Sequence, residues 1–294
     1  LSGTLHATER QPFSVLDLVT LHRVADPAVS PDGKRLTFTL RSTDLSANRG
    51  RTGLWLLDLT RRRAKPEPLM PDSGNDSAPQ WSPDGTQLYF LSSRSGMRQI
   101  WRIPVTGGTA IQVTHFPVEV DSFRLSPRGD RLLLSAEVFA DCADLECTAA
   151  RLQRNAGHVA SGILRTHLPV RHRGFSNDGR RSQLLSVAQD GGLLTGPVVN
   201  LTAGLDGDVP REPSAASEDY VFSPDGTQVV FGIQVAPTAR PGAAAWTSNS
   251  DLYVVPAAGG PPRNLTASNP AADTQPRFSP DGSHLAYLAT ERPG

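Results

Sequence analysis

One four-residue string, Ser-Pro-Asp-Gly, recurs along the chain and limits what it can fold into. It stands at Ser30–Gly33, Ser82–Gly85, Ser223–Gly226 and Ser279–Gly282, with a Ser-Pro-Arg-Gly variant at Ser126–Gly129. Proline at the second position presets φ near −65°, Asp tolerates the third, and Gly accepts conformations that strain other residues. We therefore interpret the repeated Asp as a turn residue, not as a catalyst or calcium ligand. A turn that returns roughly every 50 residues predicts a repeat architecture.

The sequence around each turn predicts β-strands. A short strand precedes the turn and a β-rich run follows it, as in Leu88-Tyr89-Phe90-Leu91. A second hairpin comes next, and its closing strand shares an ending: Gln112-Val113-Thr114, Asn200-Leu201-Thr202 and Asn264-Leu265-Thr266. Four antiparallel strands in each unit predict an all-β fold, a β-propeller built from four-stranded blades.

The turns also count the blades. One interval, between Gly129 and Gly226, is about twice the others and contains only one such Leu-Thr ending. We interpret it as a third blade with an insertion at about 137–171, and the insertion includes a short helix near Ala149–Asn155. Residues 174–179, after the insertion, are interpreted as an inner hairpin of the same enlarged blade. A sixth, degenerate blade is the alternative. Residues 1–294 then hold four blades and half of a fifth, and we expect further blades in the same polypeptide or in a partner chain.

Composition and motifs exclude several functions. The formal net charge is zero, and no apolar stretch approaches the roughly 18 residues that span a bilayer, so neither nucleic-acid binding nor a membrane span is predicted. The chain contains no Gly-x-Ser-x-Gly elbow, no Gly-x-x-x-x-Gly-Lys phosphate loop and no His-Glu-x-x-His pair. We predict no catalytic residue, no metal site and no cofactor on this chain.

Cys142 and Cys147 are the two cysteines. No His lies close to them in sequence, so we do not expect zinc. An even number of cysteines at close spacing favours a structural disulfide in an exported protein. Two free thiols in a cytosolic protein are the alternative.

Two acidic residues are candidates for binding a cation such as a peptide α-amino group. Glu137 ends a central strand where the insertion starts, and Glu218 stands just before the first strand of a blade. The alternative is that each is an ordinary solvated carboxylate.

Longer strings resemble one family. Three strings are similar to the N-terminal propeller of bacterial prolyl oligopeptidase-family serine peptidases, in the dipeptidyl-peptidase V and acylaminoacyl-peptidase-like branch: residues 40–50, residues 75–77 before 81–85, and residues 135–139 followed by Asp141-Cys142. Residues 178–184, 200–206 and 273–276 extend the similarity over nearly the whole chain. The Ser-Pro-Asp-Gly turns alone are also found in TolB-like propellers.

The resemblance implies a seven-bladed propeller followed by a C-terminal α/β-hydrolase domain that holds a Ser-Asp-His triad. The propeller would gate access, and acidic residues in its cavity, here Glu137 and Glu218, would bind the free N-terminus of peptide substrates. The chain would then be the propeller part of a periplasmic or secreted serine exopeptidase, inactive without the hydrolase domain. A TolB-like periplasmic propeller that only binds protein partners is the alternative.

Overall fold

The computed structural model describes residues 12–70, 75–157, 179–211, 219–234 and 249–292. Strands dominate these residues, and the helices among them are α1, Val15–Thr20, and α2, Leu145–Ala156. The chain divides into two compact units, Leu1–Pro79 and Gln80–Gly294.

The strands of the described residues form five sheets. The first has the order β1 (Arg23–Val29), β2 (Arg35–Asp44), β3 (Arg49–Asp58), β4 (Glu67–Pro68). The second has the order β5 (Ser77–Trp81), β6 (Gln87–Ser92), β7 (Gln99–Pro104), β8 (Ile111–Gln112). The third contains β9 (Ser122–Leu125), β10 (Arg131–Phe139), β11 (Arg180–Asp190), β12 (Leu193–Leu194) and β13 (Val199–Asn200), the last two both pairing with β11.

The fourth sheet has the order β14 (Tyr220–Phe222), β15 (Gln228–Ile233), β16 (Asp251–Pro256), β17 (Arg263–Asn264). The fifth contains β18 (Asp273–Phe278) and β19 (Leu285–Ala289). The predicted all-β class with four-stranded antiparallel blades is confirmed. The number of blades in a complete ring stays a prediction.

Each Ser-Pro-Asp-Gly string forms the turn between the first and second strands of a sheet. In the first, the Ser30 hydroxyl donates to Asp32 Oδ1 at 2.6 Å, and Gly33 has a φ of 71°, which glycine adopts without strain. In the variant, the Ser126 hydroxyl donates instead to Asp130 Oδ1 at 2.7 Å, one residue beyond the string. The carboxylate is therefore part of the turn even where the third position is Arg.

A side-chain hydrogen bond explains why three of the sheets end in the same threonine. Thr114 Oγ1 accepts the backbone N–H of Ile100 at 2.9 Å and donates to Gln99 Oε1 at 2.8 Å. The same hydrogen bond recurs in the next two sheets. The Leu184 N–H donates to Thr202 Oγ1 in the third sheet, and the Leu252 N–H donates to Thr266 Oγ1 in the fourth. We call this contact the threonine clasp. It ties the short outer strand to the strand beside it.

One hydrophobic core of the second unit packs the third sheet against the fourth. Its buried side chains come from β10, β11, β14, β15 and β16 and from the connections between the sheets: Leu133, Leu184, Leu201, Val209, Tyr220, Phe222, Val229, Phe231, Ile233, Val255 and Ala257. Because both faces of the middle strands are covered, these strands are nearly continuous runs of buried residues.

The connection between β10 and β11 contains α2 and the disulfide. Helix α2 begins at Leu145, earlier than the predicted Ala149, because Asp144 caps it by accepting the Cys147 N–H at 2.8 Å. A disulfide joins Cys142 to Cys147, as expected. The predicted inner hairpin at 174–179 lies almost wholly outside the described residues.

Candidate functional site

Glu137 lies near the end of β10, at the end of the third sheet where β11 begins. In the ladder it faces Ser182. Its Oε2 lies 2.9 Å from Arg180 Nη1, and the two side chains are 41% and 28% exposed. Glu137 is therefore paired with a cation of its own chain and still reaches solvent.

A second ion pair lies at the same edge. Arg98 Nη2 lies 2.6 Å from Asp121 Oδ1 and 4.0 Å from Glu119 Oε2. Asp121 directly precedes β9, and its backbone N–H donates to the Ser135 carbonyl in β10 at 2.8 Å, which places it close along the ladder to Glu137. We call this set the charged edge: Arg98, Glu119, Asp121, Glu137 and Arg180.

The charged edge has more acidic than basic groups. Burial raises the pKa of Asp121, and the neighbouring Glu119 carboxylate raises it further, while the guanidinium groups of Arg98 and Arg180 oppose both effects. A raised pKa means that the ionised carboxyl lacks full compensation where it sits. An additional cation, such as an ammonium group, would be favoured there for the same reason.

A buried hydroxyl network supports the charged edge. The Tyr220 hydroxyl lies 2.8 Å from Ser122 Oγ, which lies 2.7 Å from Ser135 Oγ. Burial raises the pKa of Tyr220 to about 12, so the phenol keeps its proton at neutral pH. The Arg124 guanidinium lies 5.7 Å from the centre of the Tyr220 ring. These contacts hold the start of β9 against β14 and thereby fix Asp121.

Glu218, the other predicted ligand, lies outside the described residues. The next residue, Asp219, is 3% exposed, and its Oδ2 lies 3.2 Å from Arg211 Nε. Arg211 Nη1 also donates to Ser250 Oγ at 3.1 Å. Sequence reasoning missed Asp121 and Asp219. Both directly precede the first strand of their sheets, and that shared position is the signal that could have identified them.

The described residues do not assemble a hydrolytic triad. Ser283 Oγ lies 2.7 Å from His284 Nδ1, but the Asp281 carboxylate accepts from Ser283 and not from the histidine. In a triad the carboxylate orients the histidine. These three residues belong to an exposed turn. The part of the chain that the structure describes also contains no group of three or more His, Cys, Asp or Glu side chains that could hold a metal ion.

Comparison with known proteins identifies the fold and its relatives. The TolB beta propeller domain family matches residues 14–155. Dipeptidyl-peptidase 5 of Porphyromonas gingivalis is 25% identical over 94% of this chain. The chain is thus similar to TolB-type propellers and to dipeptidyl-peptidase 5. The resemblance to this peptidase branch is thus confirmed. The chain covers 38% of that relative's length.

Solved structures agree on the fold. Acylaminoacyl peptidase of Pyrococcus horikoshii matches with a TM-score of 0.60 and 14% identity, over 93% of this chain and 36% of that protein. TolB from Acinetobacter baumannii matches with a TM-score of 0.50 and 16% identity, over 92% of this chain and 52% of that protein. Neither helix among the described residues is long and apolar enough to cross a membrane.

Proposed function

We propose that this chain is the propeller part of an exported serine exopeptidase of the dipeptidyl-peptidase or acylaminoacyl-peptidase type. The observation that carries the proposal is the similarity to dipeptidyl-peptidase 5, which extends over 94% of the chain. A C-terminal α/β-hydrolase domain supplies the nucleophile, and the propeller, completed by further blades, admits only short or unfolded peptides. The disulfide between Cys142 and Cys147 supports an oxidising compartment.

In this proposal one residue of the charged edge, Glu137, binds the amino terminus of the peptide. Glu137 is the ligand, and its pairing with Arg180 holds the carboxylate in one orientation before substrate arrives. Arg180 is then a positioning residue. Glu218, one residue before the Arg211-paired Asp219, is a second ligand in the proposal.

The test compares substrates in the complete protein that carries this propeller. Dipeptidyl-nitroanilides with a free amino terminus are assayed beside the same compounds with an acylated terminus. Because charge-assisted hydrogen bonds contribute about 1.5–3 kcal/mol, Glu137→Gln should raise KM for the free-amine substrate about tenfold or more. The acylated substrate should show no such change. Glu218→Gln is measured in the same way.

Glu119→Gln is the matched control. Glu119 lies in the same charged edge but is more exposed than Glu137 and only 4.0 Å from its guanidinium partner. Its loss should leave KM for both substrates nearly unchanged. Equal KM values for wild type and Glu137→Gln with the free-amine substrate would remove Glu137 from this role.

A TolB-like binding module is the second candidate, favoured by the TolB domain match over residues 14–155. Labelling the complete protein with a fluorophosphonate separates the two. A labelled serine in a hydrolase domain supports the peptidase, whereas the absence of labelling and of peptidase activity supports the binding module.

A further inference from the structure

The threonine clasp accepts a backbone N–H, and the residue directly before that N–H differs among the sheets. In the second and third sheets it is glutamine: Gln99 Nε2 donates to the Phe116 and Val118 carbonyls at 3.1 and 2.9 Å, while Oε1 accepts from Thr114. Gln183 makes the corresponding acceptance from Thr202. In the fourth sheet the position is held by Asp251, directly before Leu252. An ionised aspartate has acceptors only, so it cannot replace the amide donor.

Asp251 leaves one carboxylate oxygen without a partner. Its Oδ2 accepts from Asn264 Nδ2 at 2.7 Å, whereas its Oδ1 is buried and accepts no hydrogen bond within the described residues. Asp273, which is fully buried, repeats the pattern. Its Oδ1 accepts from Asn269 Nδ2 at 2.8 Å, and its Oδ2 is buried without a partner in the same described part of the chain.

The backbone places Asp251 and Asp273 at neighbouring positions of two paired segments. Ser250 and Ala272 form a parallel bridge, and the Asp273 N–H donates to the Ser250 carbonyl at 2.7 Å. Successive side chains of paired segments point to opposite faces. Asp251 and Asp273 therefore share the face opposite Ser250 and Ala272.

The guanidinium that reaches this bridge is already occupied. Arg211 Nε pairs with Asp219 at 3.2 Å and its Nη1 donates to Ser250 Oγ. Among the described residues, Asp251 and Asp273 form no ion pair with Lys, Arg or His. Buried carboxylate oxygens without a partner are unfavourable unless a cation compensates them.

We propose that Asp251 Oδ1 and Asp273 Oδ2 bind a divalent cation of the Ca²⁺ class between β16 and β18. The donors are hard carboxylate oxygens without sulfur or imidazole, which suits Ca²⁺ and not Zn²⁺. Backbone carbonyls and waters complete the six to eight oxygens that Ca²⁺ takes. Asn264 and Asn269 each donate to the other oxygen of one carboxylate and so restrict the orientation of Asp251 and Asp273. The site ties the fifth sheet to the fourth.

The test uses the purified protein, stripped with EGTA and dialysed. Isothermal titration with CaCl₂ should show one site, and a Ca²⁺ concentration one hundred times Kd should raise Tm by about 5 °C. Asp251→Asn and Asp273→Asn should each weaken Ca²⁺ binding at least tenfold. Asp281→Asn, which changes an exposed turn carboxylate, should bind Ca²⁺ as wild type does.

Two results would overturn the proposal. One is the absence of heat and of a Tm shift in wild type up to 10 mM CaCl₂, a range that covers the weak sites of extracellular modules at about 10⁻⁴–10⁻³ M. The other is unchanged Ca²⁺ affinity in both Asn variants.

Discussion

The threonine clasp makes a prediction that isolates one hydroxyl group. In Thr114→Val the side chain keeps its shape, so no cavity forms, but the hydroxyl that accepts the Ile100 N–H is lost. Ile100 is fully buried, so water does not easily replace this acceptor. Gln99 Oε1 keeps the Phe116 N–H as a donor at 3.1 Å and is not left unpaired. The change therefore leaves one buried donor without a partner.

The expected loss in the free energy of unfolding follows from this one unpaired donor. A buried donor without a partner destabilises by about 1–3 kcal/mol, so we expect a loss of about 2 kcal/mol in the free energy of unfolding. Taking 2–4 °C per kcal/mol, Tm should fall by roughly 4–8 °C. With a urea m-value of about 3 kcal/mol/M, the unfolding midpoint should fall by about 0.7 M.

Urea titration followed by tryptophan fluorescence measures the effect, because Trp81 and Trp101 lie in the same sheet as the clasp. Thr114→Ser is the control: it keeps the hydroxyl and loses only a methyl group, which costs about 0.8 kcal/mol. The Val variant should be less stable than the Ser variant by about 1 kcal/mol. A Val variant as stable as the Ser variant would show that the clasp does not hold the sheet through this hydrogen bond.

Two further predictions concern pH and the disulfide. Hydrogen bonds from Ser223 and Thr227 lower the pKa of Asp225 to about 2, below the value of about 3.9 in the unfolded chain. The ionised carboxylate therefore stabilises the folded state above pH 4, and this contribution is lost as pH falls toward 2. Asp225→Asn should therefore have a lower urea midpoint than wild type at pH 7, and the difference should vanish toward pH 2; a pH-independent difference contradicts this. Replacing Cys142 and Cys147 together by Ser should cost about 2 kcal/mol or less, because the closed loop is short, and reduced wild type should match the double variant in the same titration.

The sequence was sufficient for the fold because its signals are local. The Ser-Pro-Asp-Gly turn is closed by hydrogen bonds between near neighbours, such as Ser30 with Asp32. Four residues of sequence are therefore enough to predict it. The Thr ending was recognised as a repeat, although its hydrogen bond to Ile100 spans 14 residues and its physical reason appears only in the structure. The start of α2 was placed too late because the cap, Asp144, lies among polar residues that give no apolar period.

The site was less predictable because its contacts are distant in sequence. The sequence indicates Glu137 by its position at the end of a strand, but its partner Arg180 lies beyond the whole insertion. The Arg98–Asp121 pair likewise joins two different sheets. Such pairs depend on how blades align, and a single sequence contains no direct signal for that.

The repeat itself gives the better guide to function, because departures from it mark places where stability was not the only constraint. Gln99 and Gln183 each accept a hydrogen bond from the threonine hydroxyl through Oε1. Gln99 also donates through Nε2 to a carbonyl of the connection that follows. Asp251 satisfies the position only in part and leaves a buried oxygen unpartnered. A residue that fits its site less well than its counterparts needs a compensating partner, and the cation proposed for Asp251 and Asp273 would be that partner. The same comparison of equivalent positions, applied to complete propellers of this kind, separates residues that hold the blades from residues that bind something else.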